Sequence, residues 1–169
     1  MIIKSSAWIA APLGVALLVF SAVATALPKA DFVLVKKSER KMFLLHEGRP
    51  FKQYRVAFGD QPKGHKQREG DERTPEGRYK LDFKNEKSEY YKSIRISYPN
   101  RFDRLAAKSA GYSPGGAIMI HGLPGRELEL PPRVWQAFNW TDGCIAVTNE
   151  EMDEIWSSVD VGTPIEILP

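Results

Sequence analysis

A single cysteine, Cys144, lies in the stretch WTDGCIAV at residues 140–147. The thiol follows Gly143 and a polar pair, Thr141 and Asp142. A glycine before a nucleophile lets the backbone turn tightly and direct its N–H groups at a carbonyl that a thiolate attacks. The alternative is a small buried cysteine that opens the strand CIAV. On this octapeptide alone, the buried cysteine is the favoured interpretation.

Thiol attack also needs a base, and the chain has three histidines. His65 lies in a polar stretch and is expected to be solvated. His46 ends a predicted strand and could face either way, so it is a weak candidate for the base. His121 ends the apolar run GGAIMIHG and precedes Gly122, so its ring is expected to emerge where a strand ends. One cysteine and three scattered histidines lack CxxC or HxxxH spacing, so we predict no metal site.

Residues 1–26 predict export from the cytoplasm. One cation, Lys4, precedes an uncharged and mostly apolar run that closes with Ala24-Thr25-Ala26, the small-x-small pattern of a signal peptidase site. An uncleaved membrane anchor is the alternative, because the run is nearly long enough to span a bilayer. In either case we expect residues 27–169 to work outside the cytoplasm, in the periplasm. A lone thiol is unusual there, since exported proteins normally pair their cysteines, and this suggests that the thiol is used.

The remaining sequence predicts one mainly β domain with mixed β-sheets and a few short helices. The net charge of +3 comes from 24 basic and 21 acidic residues, a balance that argues against nucleic acid as a partner. Residues 60–76 are polar and predict an exposed loop. Strand-like patterns cover residues 31–37, 41–48, 51–59, 77–83, 93–99, 115–122 and 162–168, and helical patterns cover 101–111, 131–140 and 148–159.

The separate motifs, taken together, resemble a known family. His121-Gly122 followed downstream by Thr141-Asp142-Gly143-Cys144-Ile145 resembles the signature of the L,D-transpeptidase catalytic domain, the YkuD-like fold. The stretch RTPEGRY at 73–79 is similar to the TPxGxY stretch of that family, and residues 31–59 are similar to its opening meander. The resemblance covers about residues 31–168 and implies a mostly β catalytic domain.

The resemblance also implies a site and a reaction on peptidoglycan stem peptides. Cys144 attacks the carbonyl of the L-centre of a diamino acid, releases the terminal D-alanine, and passes the acyl group to an amine. His121 is the general base, and the main-chain carbonyl of Gly122 orients it. Backbone N–H groups of Gly143 and Cys144 form the oxyanion hole, and Thr141 braces the turn. The family needs no cofactor and no metal.

Two positions depart from the family pattern. Many members have histidine where this chain has Asp142, and many have arginine two residues beyond the cysteine, where this chain has Ala146. We expect Asp142 and Ala146 to shift the substrate or acceptor preference. Because that arginine is associated with the peptide carboxylate, the replacement candidates for substrate binding are Arg78, Arg126 and Arg133.

The segment between histidine and cysteine is somewhat longer than in many members, and it contains Trp135, Phe138 and Trp140. These aromatic side chains are predicted either to wall the cleft or to belong to the core, with the core favoured for Trp135.

Residues 97–100 (SYPN) and 141–149 are similar to a subgroup of small exported members whose reactions differ. Some cross-link stems or attach a lipoprotein to them, and at least one hydrolyses the lipoprotein–peptidoglycan link. We predict a transpeptidase whose partners are stem peptides and, for lipoprotein attachment, a wall-linked lipoprotein. A membrane partner is expected only if the signal segment stays uncleaved. The alternatives are a cysteine amidase or peptidase and a non-catalytic wall-binding module. If His121 activates Cys144, acylation is expected to rise through ionisations near neutrality.

Overall fold

The computed structural model describes residues 27–124 and 130–169, so the predicted signal segment and Arg126 lie outside the described residues. The described chain is mainly β, as predicted. None of its helices is long and apolar enough to cross a membrane. Its elements are β1 (Phe32–Lys36), β2 (Lys41–His46), β3 (Arg49–Arg55), β4 (Gly77–Ser88), β5 (Tyr91–Ile96), α1 (Arg101–Ser109), β6 (Met119–His121), α2 (Pro132–Trp135), β7 (Ile145–Ala146), α3 (Asn149–Ser158) and β8 (Pro164–Leu168).

The first three strands form the predicted antiparallel meander, and β8 adds to its edge in parallel with β1. Alternate residues of β1 and β2 face the core, since Val33, Val35, Met42 and Leu44 have no exposed surface. This period of two is what a strand with one buried face requires.

The long strand β4 connects the meander to the part of the sheet that carries the histidine and the cysteine. Its first residues, 77–80, pair with β8, and the residues from Leu81 onward pair with β5. The strand order is therefore β3-β2-β1-β8-β4-β5-β6-β7. Register shifts after Leu81 and Asn85 mark irregularities of the kind that bend a strand.

Two of the helices begin at capping boxes. Thr148 and Glu151 exchange side-chain and backbone hydrogen bonds at the start of α3, and Asn100 and Asp103 do the same for α1. Two residues of α3, Met152 and Ile155, are fully buried in the core. The helix therefore fixes the chain that leaves β7.

Residues 60–76 lack helix and strand, but the prediction that they form an exposed loop is wrong in part. The ammonium group of Lys66 is buried and lies 2.9 Å from the carboxylate of Asp71. Lys37 is also buried, and it binds the carbonyl oxygen of Thr74 at 3.0 Å and the carboxylate of Glu76 at 2.8 Å. Because buried charges are stable only when paired, the Lys66–Asp71 pair fastens the loop to itself, and the bonds of Lys37 hold the loop against the residue that follows β1.

Candidate active site

The parallel pair β6–β7 brings His121 and Cys144 together. Ile120 pairs with Ile145 and His121 with Ala146. Ile120 and Ile145 point into the core with no exposed surface, so the alternating residues His121 and Cys144 project from the opposite face. Both line one cleft of about 260 Å³. The two residues that the sequence predicts as base and nucleophile thus share a cavity.

Thr141 braces the turn that presents the cysteine. Its hydroxyl donates to the carbonyl of Cys144 at 2.8 Å and accepts the N–H of Gly143 at 3.3 Å. Gly143 has a φ of +113°, which L side chains rarely adopt. A Cβ at this residue would lie 2.4 Å from the carbonyl oxygen of Arg73. The turn therefore depends on a glycine that is packed against the loop 60–76.

The two predicted oxyanion donors differ in their present hydrogen bonds. The N–H of Gly143 is directed at Thr141, whereas the N–H of Cys144 has no partner among the hydrogen bonds of the described residues. The Cys144 N–H is therefore available to an incoming carbonyl oxygen without loss of an existing bond.

The backbone of Gly122 holds the imidazole of His121 in one orientation. The Nδ1–H group donates to the Gly122 carbonyl at 2.7 Å, which leaves the lone pair on Nε2. The Gly122 N–H donates to the carbonyl of Lys92, and the neighbouring Leu123 N–H donates to the Asn149 side chain. A Cβ on Gly122 would lie 2.6 Å from that Asn149 oxygen. Asn149 is thus a positioning residue that sequence reasoning missed.

Burial keeps both partners neutral at pH 7. Burial lowers the pKa of His121 to about 4, although the hydrogen bond to the Gly122 carbonyl acts in the opposite direction. Burial also raises the pKa of the Cys144 thiol, with smaller opposing effects from the Met119 N–H and the Lys66 charge. At rest the thiol donates to the Ala117 carbonyl oxygen at 3.6 Å.

Two aromatic rings flank the catalytic candidate His121. The ring centroids of Tyr90 and Trp140 lie 4.6 Å and 5.7 Å from that of the imidazole. Trp135 contacts Trp140 at 5.3 Å, and Phe138 contacts Trp135 at 5.9 Å. Of the three aromatic residues predicted for a cleft wall, Trp140 is therefore the one that contacts the histidine.

The hairpin between β4 and β5 supplies much of the cleft, and sequence reasoning missed it because this segment carries no recognised motif. The hairpin contributes the cation of Lys87, the anion of Glu89, several polar side chains and the ring of Tyr90. The residues of the hairpin that line the cleft are Asn85, Lys87, Ser88, Glu89, Tyr90 and Ser93.

Of the residues predicted to bind substrate, Asp142 lies next to the cysteine, and the two described arginines lie outside the cleft. Asp142 is exposed next to the cysteine, and its charge raises the pKa of Cys144. Arg78 binds Glu166 at 2.8 Å on β4 and β8, and Arg133 is exposed on α2. Neither arginine lines the cleft with Cys144. Substrate roles for these three residues stay predictions. Within the described ranges, no three His, Cys, Asp or Glu side chains gather into a metal-binding group.

Comparisons with known proteins support the fold and the family. The Escherichia coli protein YafK is 38% identical over 98 residues, which are 57% of this chain and 32% of YafK. The structure of the helical cell shape determining protein Pgp2 from Campylobacter jejuni has a TM-score of 0.62 and 27% identity, and the match covers 80% of this chain and 46% of Pgp2. An Enterococcus faecium L,D-transpeptidase has a TM-score of 0.54 at 15% identity, over 83% of this chain and 50% of that one, which shows a common fold.

The chain spans about a third of YafK and less than half of Pgp2. The sequence model of the YkuD family, described as the L,D-transpeptidase catalytic domain, matches residues 30–167. The predicted fold is confirmed. Since this match covers most of the chain, the protein belongs to the YkuD family of L,D-transpeptidase catalytic domains.

Proposed function

We propose that this protein is a peptidoglycan L,D-transpeptidase with Cys144 as its nucleophile. The observation that carries the proposal is the shared cleft of Cys144 and His121, in which the imidazole is neutral and held by Gly122. A neutral imidazole with its lone pair on Nε2 is the form that accepts a proton from a thiol.

The reaction has two proton transfers in each half. The thiol of Cys144 turns from Ala117, passes its proton to Nε2 of His121, and attacks the carbonyl carbon between the diamino acid and D-alanine. The N–H of Cys144 stabilises the oxyanion. The imidazolium then protonates the leaving amine of D-alanine, which leaves a thioester.

In the second half an acceptor amine passes a proton to His121 and attacks the thioester carbonyl. The thiolate leaves and regains its proton from the imidazolium. Burial disfavours the charged forms of both side chains, so the resting state is the neutral thiol with the neutral imidazole, and not a thiolate–imidazolium pair.

We place this reaction in cell wall biogenesis outside the cytoplasm. The signal-like residues 1–26 support export to the periplasm. Pgp2 is a helical cell shape determining protein, and its similarity supports a role for this chain in cell shape. Stem peptides are the proposed substrates, with a stem amine or a lipoprotein lysine as acceptor.

Intact mass spectrometry after treatment with a carbapenem tests the nucleophile. Carbapenems mimic the acyl donor, and the chain has one cysteine, so we expect one covalent adduct that disappears in Cys144→Ala. His121→Gln keeps the size of the side chain and should slow adduct formation by about 100-fold or more. No adduct on the wild type, or an adduct that persists in Cys144→Ala, would refute the proposal.

Muropeptide analysis with the purified protein then tests the transfer step. Cross-linked or amine-exchanged products support a transpeptidase. Shortened or released stems alone would show that water is the acceptor and would contradict transfer.

A further inference from the structure

We propose that the hydroxyl group of Ser93 positions the acyl acceptor beside His121. The inference rests on the proposed function and assigns a role to a residue that no sequence motif marks. Ser93 lines the cleft together with His121 and Cys144, although only 1% of the residue is exposed. Its Oγ atom is buried and has no hydrogen-bond partner.

The lack of a partner is not sufficient by itself, because Ser158 and Thr74 also have buried hydroxyl groups without partners. The location of Ser93 distinguishes it, since neither Ser158 nor Thr74 lines this cleft. A hydroxyl group removed from water without a partner costs free energy. A bound ligand in the cleft would supply the missing hydrogen bond.

The strand register places Ser93 against the histidine. Ser93 pairs with His121 across β5 and β6. The adjacent pair, Lys92 and Gly122, carries the backbone hydrogen bond at 3.2 Å, so Ser93 and His121 form a non-hydrogen-bonded pair of the antiparallel ladder. Side chains approach each other most closely at such pairs. The hydroxyl group and the imidazole therefore project side by side into the cleft.

The strand order separates this group from the nucleophile. β5 and β7 lie on opposite sides of β6, so His121 stands between Ser93 and Cys144. An acyl group on Cys144 occupies one side of the imidazole, and an acceptor that gives its proton to Nε2 approaches from the other. A serine Oγ accepts one N–H or O–H of that acceptor while Nε2 accepts another. The lone pair of the acceptor then faces the thioester carbonyl.

Single-turnover kinetics with the full chain separate the two halves of the reaction. The donor probe is a stem tripeptide activated as a thioester at its diamino acid carboxyl group, so that no amine leaves during acylation, and D-methionine is the amine probe. With an amide donor the leaving D-alanine amine would occupy the acceptor position, and both steps would depend on Ser93. We expect Ser93→Ala to form the acyl-enzyme within about twofold of the wild-type rate. The transfer to D-methionine should slow by about tenfold or more, with a higher KM for the amine. Ser93→Thr keeps the hydroxyl group and should restore part of the transfer rate.

Ser158→Ala is the matched control, since Ser158 is equally buried and also lacks a partner. It should leave both steps unchanged. Thermal unfolding should show that Ser93→Ala folds as stably as the wild type, because the substitution removes an unsatisfied hydroxyl group. A Ser93→Ala variant with both steps unchanged, or with both slowed alike, would overturn the inference. A wild type that forms no acyl-enzyme would overturn the proposed function, and the inference with it.

Discussion

Replacing Gly143 by alanine should destabilise the protein and disable the nucleophile together. A residue with a Cβ pays about 1–3 kcal/mol for a strained positive φ, and Gly143 has a φ of +113°. The new Cβ would also lie 2.4 Å from the Arg73 carbonyl oxygen, so the two backbones must separate by about 1 Å. Overpacking of this kind costs about 1–3 kcal/mol more. We therefore expect the free energy of unfolding to fall by about 4 kcal/mol.

Gly162→Ala is the control for the backbone conformation alone. Gly162 has a φ of +100°, and a Cβ there meets nothing within 4 Å. Its expected loss is about 2 kcal/mol, with carbapenem acylation unchanged. Gly143→Ala should lose about 2 kcal/mol more and acylate at least about tenfold more slowly. Urea unfolding and adduct mass spectrometry measure these two effects. Equal losses of stability in the two variants, with unchanged acylation by Gly143→Ala, would refute the close contact as the basis of the turn.

Two pH-dependent effects follow from buried titratable groups. Because burial holds the pKa of His121 at about 4, carbapenem acylation should rise as the pH increases through about 4 and stay level through neutrality. An acylation rate that instead rises with a midpoint near the ordinary histidine pKa of about 6.5 would contradict the low pKa of His121. Asp71 is partly buried, but hydrogen bonds from Lys66 and from three backbone N–H groups lower its pKa to about 2. Its charged form therefore contributes roughly 2 kcal/mol above pH 4, and this contribution is lost as the pH falls toward 2. Asp71→Asn should reduce the free energy of unfolding by at least about 2 kcal/mol at pH 7, and the difference should shrink below pH 4 in urea titrations.

Short local motifs made the centre of the site predictable. His121-Gly122 and Thr141 to Cys144 each lie within a few residues of the sequence, and the bonds from Thr141 to both ends of the turn are local as well. The pairing of β6 with β7 was not visible in composition or periodicity, because β7 has two residues. The family resemblance, rather than the periodicity, indicated that these motifs meet.

Tertiary contacts explain what sequence reasoning missed. Tyr90 and Ser93 reach the cleft through the pairing of β5 with β6, and neither residue lies near a motif. Lys66 lies in a polar stretch, and polarity predicts exposure, whereas the folded loop buries the Lys66 ammonium group against Asp71 within the same loop. The same limitation affects pKa values. The expectation of ionisations near neutrality assumed an ordinary histidine, whereas burial moves the relevant pKa of His121 to about 4.

Ala146, which stands where many family members have arginine, is buried beside the catalytic candidates. Ala146 is 1% exposed, and both its N–H and its carbonyl bond to Ala57. It pairs with His121 and alternates with the buried Ile145, so its side chain lies on the same face of the strand pair as the histidine and the cysteine. Positive charge reaches the site from other segments instead, since Lys87 lines the cleft and the charge of Lys66 lowers the pKa of Cys144. In this protein the cations near the nucleophile therefore come from a hairpin and a loop, and not from the strand that follows the cysteine.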